Sequence, residues 1–141
     1  MSSCRATNAN RAELDADARA RDEALLPLLR DARAKLATGW TQGNFARDHL
    51  GAPISAQSPD ATCWCAVGAV RASMDHDRAL WAADDAAHDA LYEALMSVEG
   101  LDYAGAIVEY NDAAERTQAD VLALFDRAIA AVEARVAEAA Q

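Results

Sequence analysis

Apolar side chains along this chain recur mostly at intervals of three and four residues, the spacing that lines one face of a helix. The clearest case is near the C-terminus, where Val121, Phe125, Ala128, Val132 and Val136 form one stripe flanked by Leu122, Leu124 and Ile129. Thr117, with Asp120 three residues on, supplies a capping box for that helix, Asp standing in for the usual Glu or Gln. Upstream, Ala87, Leu91, Ala94, Leu95 and Val98 predict a helix ended by Gly100. A helical segment through Arg78, Leu80 and Trp81, capped by Asp75 or Asp77, precedes it. Asp84-Asp85 marks either a join between the two or the wet face of one helix. Residues 101–110 read as a short helix with Ala104, Ile107 and Val108 inward, stopping at Asn111-Asp112.

Toward the N-terminus, residues 11–37 read as helix, with the apolar stripe starting only at Leu25, Leu26, Leu28, Leu29 and Leu36. Pro27 interrupts it, so either a new helix begins near Asp22 or Glu23 or one long helix kinks there. Gly39 supplies the C-terminal stop. Residues 1–10, including Cys4, carry no periodic pattern and predict a frayed or disordered tail. Residues 40–48 read as a turn leading into one helical turn, with Trp40 and Phe45 anchoring it to the core. Residues 49–61 carry loop chemistry in Gly51, Pro53, Ser55, Ser58, Pro59 and Asp60.

The rest is organised around residues 62–74, which hold one charge and no proline. Helical spacing puts Cys63, Val67, Val70 and Met74 on one face. Cys65, Gly68, Ala69 and Ala72 fall on the other, where small side chains would admit a second helix backbone. This predicts a central helix buried on nearly every side, capped by Asp60 or Thr62. The expected fold is all-α: a compact helical bundle around that helix, one domain over residues 11–141, with a long C-terminal helix. Abundant Ala and scarce Gly and Pro favour helix. The fold needs no strands, although an extended hairpin around residues 52–56 is compatible with the sequence.

At 141 residues the chain suits one domain and needs no covalent staples. Three cysteines, an odd number, and the lack of a secretory pattern after Met1 point to a reducing cytoplasm. No apolar run approaches the about 20 residues that span a bilayer, so a soluble protein without membrane contact is expected. The net charge of −10 is uneven: residues 1–35 hold seven basic and six acidic side chains, residues 75–141 fifteen acidic and four basic. Such an acidic second half repels phosphates and disfavours direct nucleic acid binding, while allowing a protein partner with a basic surface. The plainer alternative is that these carboxylates solvate exposed helix faces.

Candidate chemistry is sparse. Cys63 and Cys65, if helical, lie about 200° apart around the axis, so their sulfurs do not share a metal. His49, His76 and His88 show no zinc-ligand spacing, and neither metal nor cofactor is expected. Cys63 at a helix start would have a lowered thiol pKa. The string Cys-Trp-Cys-Ala resembles the nucleophile region of papain-like peptidases, but the sheet that supplies their base is not found. More substantial is the polar set Trp40, Gln42, Asn44, Arg47, Asp48, Asn111, Asp112 and Arg116. These residues either cap helices and clasp two loops through an Arg–Asp pair, or line a small polar cleft with an aromatic wall beside the central helix. In a cleft, Arg47 and Arg116 would select an anion.

Trp40-Thr41-Gln42-Gly43, Arg47-Asp48, the run from Cys63 to Arg71, Tyr110-Asn111-Asp112, Arg116-Thr117, Asp120-Val121-Leu122 and Arg127-Ala128-Ile129 together resemble a family of small uncharacterised bacterial and phage proteins, over about residues 25–132. That family has one Cys, preceded by Arg or Trp, in the central segment, so Cys63 is a departure. The resemblance implies a compact accessory protein, sometimes encoded by mobile elements, with no activity to carry over. The expectation is a cytoplasmic accessory protein rather than an enzyme, a phage- or mobile-element-encoded modulator or inhibitor acting by protein binding through its acidic surface. An anion-binding protein or enzyme built on the polar set is the alternative.

Overall fold

The computed structural model describes residues 2–74, 80–97 and 107–140. Its elements, in chain order, are α1 (Ser2–Thr38), β1 (Ala46–Arg47), β2 (Pro53–Ile54), β3 (Cys63–Trp64), α2 (Ala66–Ala72), α3 (Leu80–Met96), α4 (Ile107–Asp112) and α5 (Gln118–Ala139). The fold is mostly helical but not strictly all-α. Asp75, His76, Asp77, Arg78, Val98, Gly100, Leu101 and Ala104, named above, lie outside the described residues.

Helix α1 runs unbroken through Pro27, and its ladder continues back to Ser2 where a frayed tail is expected. Pro27 is exposed, while Leu25, Leu28, Leu29, Ala32 and Leu36 all turn inward. Burying that stripe holds the helix together across a residue that cannot donate to it. Among the described elements α1 packs most extensively on α5, whose Val121, Leu124, Phe125, Ala128 and Val132 face it and α3. Thr117 and Asp120 form the capping box: the Asp120 N–H donates to Thr117 Oγ1 at 3.2 Å, and the Thr117 N–H to Asp120 Oδ2 at 3.0 Å. Gln118 Nε2 donates to the Leu36 carbonyl at 2.7 Å and so meets an acceptor at the end of α1. Helix α3 is continuous through Asp84-Asp85. Of the residues expected inward on α4, Ile107 is buried and Val108 is exposed.

The central segment departs most from expectation. Only Ala66–Ala72 is helical, and Cys63–Trp64 is a strand. The sheet has the order β2-β1-β3, with both pairings antiparallel: Ala46 faces Ile54 and Trp64, and Arg47 faces Pro53 and Cys63. Residues 40–48 therefore form a strand and bends in place of the expected helical turn. A parallel bridge between Trp40 and Trp64 extends the contact, the Trp64 N–H donating to the Gly39 carbonyl at 3.1 Å. Pro53 has no N–H to give, which suits its edge strand.

Two glycines allow this packing by having no Cβ. A Cβ at Gly39 would collide with the Thr62 carbonyl oxygen, and one at Gly68 with the carbonyl of Phe45. Gly39 serves this close approach, because its φ is not among the positive values found at Gly43 and Gly51. The small face of the central helix does admit a second backbone, but it belongs to the segment entering β1. Phe45 contributes that backbone while the residue stays 45 % exposed, so it is not a core anchor. Helix α2 is capped by Cys65, not by Asp60 or Thr62, and Ala66, Val67, Gly68, Ala69 and Val70 are all buried.

Gly68→Ala is expected to destabilise the protein by at least about 1 kcal/mol in urea denaturation, because the clash with the Phe45 backbone outweighs the roughly 1 kcal/mol gain in helix propensity. An equal or higher midpoint would show that the Phe45 segment yields freely.

Candidate functional site

The polar set is drawn together around Asn111, the last but one residue of α4, whose side chain is fully buried. Its Oδ1 accepts from Trp40 Nε1 at 2.8 Å and from the Ala66 N–H at 2.9 Å. Its Nδ2 donates to the Thr41 carbonyl at 3.0 Å and to Asp112 Oδ1 at 2.9 Å. Both acceptor sites and both donors of the amide are used. The two N–H groups can meet only an oxygen, so they fix which way the amide points. One side chain thereby ties the end of α4 to the 40–42 segment and to the first N–H of α2.

The other members reinforce this clasp or serve their own loops. Gln42 Nε2 donates to the Asn111 and Ala113 carbonyls, both at 2.9 Å, and the Gly43 N–H donates to Asp112 Oδ1 at 3.0 Å. Arg47 spans the base of the loop, donating to Thr41 Oγ1 at 2.9 Å and to the Gly51 and Gln42 carbonyls at 3.0 and 3.1 Å. Asp48 Oδ1 accepts from the Leu50 and Ala52 N–H groups, both at 2.9 Å, closing the β1–β2 turn. Arg116 donates to the Tyr110 carbonyl at 2.8 Å and stacks over the Tyr110 ring at 3.6 Å. Among the described residues no Arg–Asp bond joins the set; the neutral Asn111 amide makes the connection.

The cysteines occupy different surroundings for a reason other than helical spacing. Cys63 lies in β3, half-buried, with Sγ 3.9 Å from the Arg47 carbonyl. Cys65 is buried, and its Sγ accepts from the Gly68 N–H at 3.3 Å as the N-cap of α2. Cys65, rather than Cys63, thus stands at the helix start. Burial pushes the Cys65 thiol up, against the opposing pull of the Gly68 and Val67 N–H groups. This is opposite to the shift a nucleophile needs. Both thiols are free. His49 is exposed and His88 bonds within α3, so neither described histidine serves as their base. Among the described residues no group of three or more His, Cys, Asp or Glu side chains is placed to hold a metal, and no helix is long and apolar enough to cross a membrane.

The sequence model of one family matches residues 20–131. The chain belongs to DUF6197, a family of unknown function. No curated protein and no solved structure matches it. The segments around Asn111, Trp40 and Cys65 all fall within the span this DUF6197 chain shares with its family.

Two depressions open near Phe45. The smaller, about 170 Å³, touches the polar set through Asn44 and Asp112 and has Cys65 and Val108 in its wall. The larger, about 340 Å³, is lined by none of the polar set; Arg71, Gln57, Met74 and Asp84 contribute to it. Asp84 lies outside the polar set, yet the sequence carries a signal for it. It precedes Ala87 by three residues and Leu91 by seven, so it takes a core-facing position on α3, where a carboxylate is costly.

Asn111→Ala is expected to cost at least about 3 kcal/mol in chemical denaturation, since it leaves the Trp40 and Ala66 N–H groups and the Thr41 carbonyl without their partner. Asn111→Asp should cost no less, because an oxygen would replace Nδ2 against two acceptors. A loss under about 1 kcal/mol for either variant would mean that water replaces the amide. Iodoacetamide at pH 8 should label Cys65 at least about tenfold more slowly in the folded protein than in urea, because the raised pKa and burial both reduce accessible thiolate. Comparable rates, read by mass spectrometry of the peptide, would contradict the buried cap.

Proposed function

We propose that this chain is a small cytoplasmic accessory protein, a single helical domain, that acts by binding another protein through its acidic second half. The observation that carries the reading is the outer face of α3, where Asp85, Asp89 and Glu93 are exposed beside Tyr92 and Met96, which are 43 % and 44 % exposed. Residues 85, 89, 92, 93 and 96 share one side of a helix. Carboxylates interleaved with a half-exposed aromatic ring and a flexible thioether suit a partner that is basic and partly apolar.

The distribution of arginines supports the same reading. Arg33 pairs with Asp126 and Arg30 with Glu133, while Arg135 bridges Asp22 at 3.0 Å and Glu93 at 3.3 Å. Arg47 and Arg116 are engaged by carbonyls. Asp85 and Asp89 have no basic partner among the described residues. Each surface pair contributes little stability; Arg135 meets the face at Glu93, and Asp85 and Asp89 keep the remainder of it acidic. The anion-binding alternative has less support, because Trp40, Gln42, Arg47, Asn111 and Arg116 already direct donors into the protein.

The test is affinity capture with the immobilised chain and its Asp85→Lys/Asp89→Lys variant, after melting curves show that both are folded. A specific partner should be retained at low ionic strength and released near 1 M salt, where the screening length falls to about 3 Å. The variant should lose it. Retention by the variant, or no retained protein at any salt, would sink the proposal.

A further inference from the structure

The 340 Å³ cavity holds two opposite charges that do not satisfy each other. It is lined by Phe45, Ala56, Gln57, Arg71, Met74 and Asp84, among others, and lies where α2 and α3 meet the loop after β2. The Asp84 side chain is 14 % exposed, and its Oδ1 is buried without a hydrogen-bond partner. His88 Nδ1 is 3.4 Å from that oxygen, within ion-pair range, but the same nitrogen makes its hydrogen bond to the Asp84 backbone carbonyl at 2.8 Å. Nδ1 must carry its proton to meet a carbonyl, so that proton is already directed elsewhere. Oδ1 itself has almost no accessible surface, so a molecule in the cavity meets Asp84 at the part of the side chain that lines it.

Arg71 is the complementary group. Its guanidinium stacks over the Phe45 ring, 4.8 Å from the centroid, and among the described residues it has no carboxylate partner. Stacking on a ring leaves the edge N–H groups of a guanidinium available. Ala56 and Met74 provide apolar lining, and both are buried. Gln57 is held in place by donating Nε2 to the Arg71 carbonyl at 3.4 Å. The volume lies at the lower end of the range for ligand sites and would hold on the order of ten waters, or a molecule of similar size.

We propose that this cavity binds a small zwitterion of the α-amino acid class, with its ammonium on Asp84, its carboxylate on Arg71 and an apolar side chain against Ala56 and Met74. A purely anionic ligand would meet Asp84, and a purely cationic one would meet Arg71; a molecule carrying both charges satisfies both. The proposal does not depend on the partner-binding surface of α3, which faces outward.

L-leucine is the probe, with L-leucinamide lacking the carboxylate and 4-methylpentanoate lacking the ammonium. Isothermal titration of the full chain should show saturable binding of L-leucine with a Kd of about 1 mM or tighter, and at least about tenfold weaker binding of both analogues. Asp84→Asn should abolish L-leucine binding without lowering the melting temperature of the unliganded protein, because it removes the charge of a mostly buried carboxylate whose Oδ1 has no hydrogen-bond partner. Arg71→Gln should weaken L-leucine binding at least about tenfold and leave the affinity for L-leucinamide unchanged. Absence of L-leucine binding to the folded wild-type chain, equal affinity for all three compounds, or undiminished binding by Asp84→Asn would each overturn the proposal.

Discussion

Everything in the central region depends on four hydrogen bonds made by one amide. Asn111 joins Trp40, Thr41, Asp112 and the first N–H of α2, segments separated by as many as 71 residues in sequence. An amide suits the position because it needs two donors and two acceptors at once, and the surrounding backbone presents that combination. A carboxylate would lack the donors, and an apolar side chain would leave an indole N–H and a helix N-terminus unpaired. Buried polar groups cost about 1–3 kcal/mol each when unmet, against a typical net stability of about 5–15 kcal/mol. The clasp therefore governs whether α2, the small sheet and α4 come together.

The second constraint is distance. Helix α2 reaches the centre because its residues are small: Ala66 and Ala69 are fully buried, and Gly68 lets the Phe45 backbone lie directly against it. Gly39 does the same for the strand that leads into α2. The three short strands carry few hydrogen bonds of their own. They persist because they are pinned between those contacts and the Arg47 and Asp48 bonds of the β1–β2 turn. Isolated two-residue strands would not hold in water. The α1–α5–α3 framework, closed by the Leu25–Leu36 stripe and Phe125, supplies the rigid surround.

Charge is arranged differently outside and inside. On the surface, Arg30 and Arg33 of α1 and Arg135 of α5 are matched to carboxylates, Arg135 reaching Glu93 of α3, while Asp85 and Asp89 leave the rest of the outer side of α3 acidic. In the cavity beside α2, Asp84 and Arg71 remain apart. The polar residues of the Asn111 clasp hold structure together by meeting one another's needs, whereas the cavity pair leaves those needs open. Ligand sites differ from structural networks in this respect.

The long helices were legible because period is a local property: the Val121–Val136 stripe, the Thr117–Asp120 cap and the Leu25–Leu36 stripe appear where spacing places them. The polar set around Trp40, Gln42, Asn111 and Asp112 was also visible as a group, and Asp84 left a trace as a carboxylate in an apolar register. Cys63-Trp64 was not legible as a strand, since two residues carry too short a pattern to distinguish strand from helix. The same limit hid the strand within residues 40–48, where a turn and one helical turn are expected and Phe45 instead uses its backbone and leaves its ring outside. By itself the sequence determined the long helices and which of their faces seek burial. Only the tertiary structure decided that the small face of the central helix meets a strand, that the linking group is an amide, and that Asp84 and Arg71 share a cavity, because each requires residues far apart along the chain to meet in space.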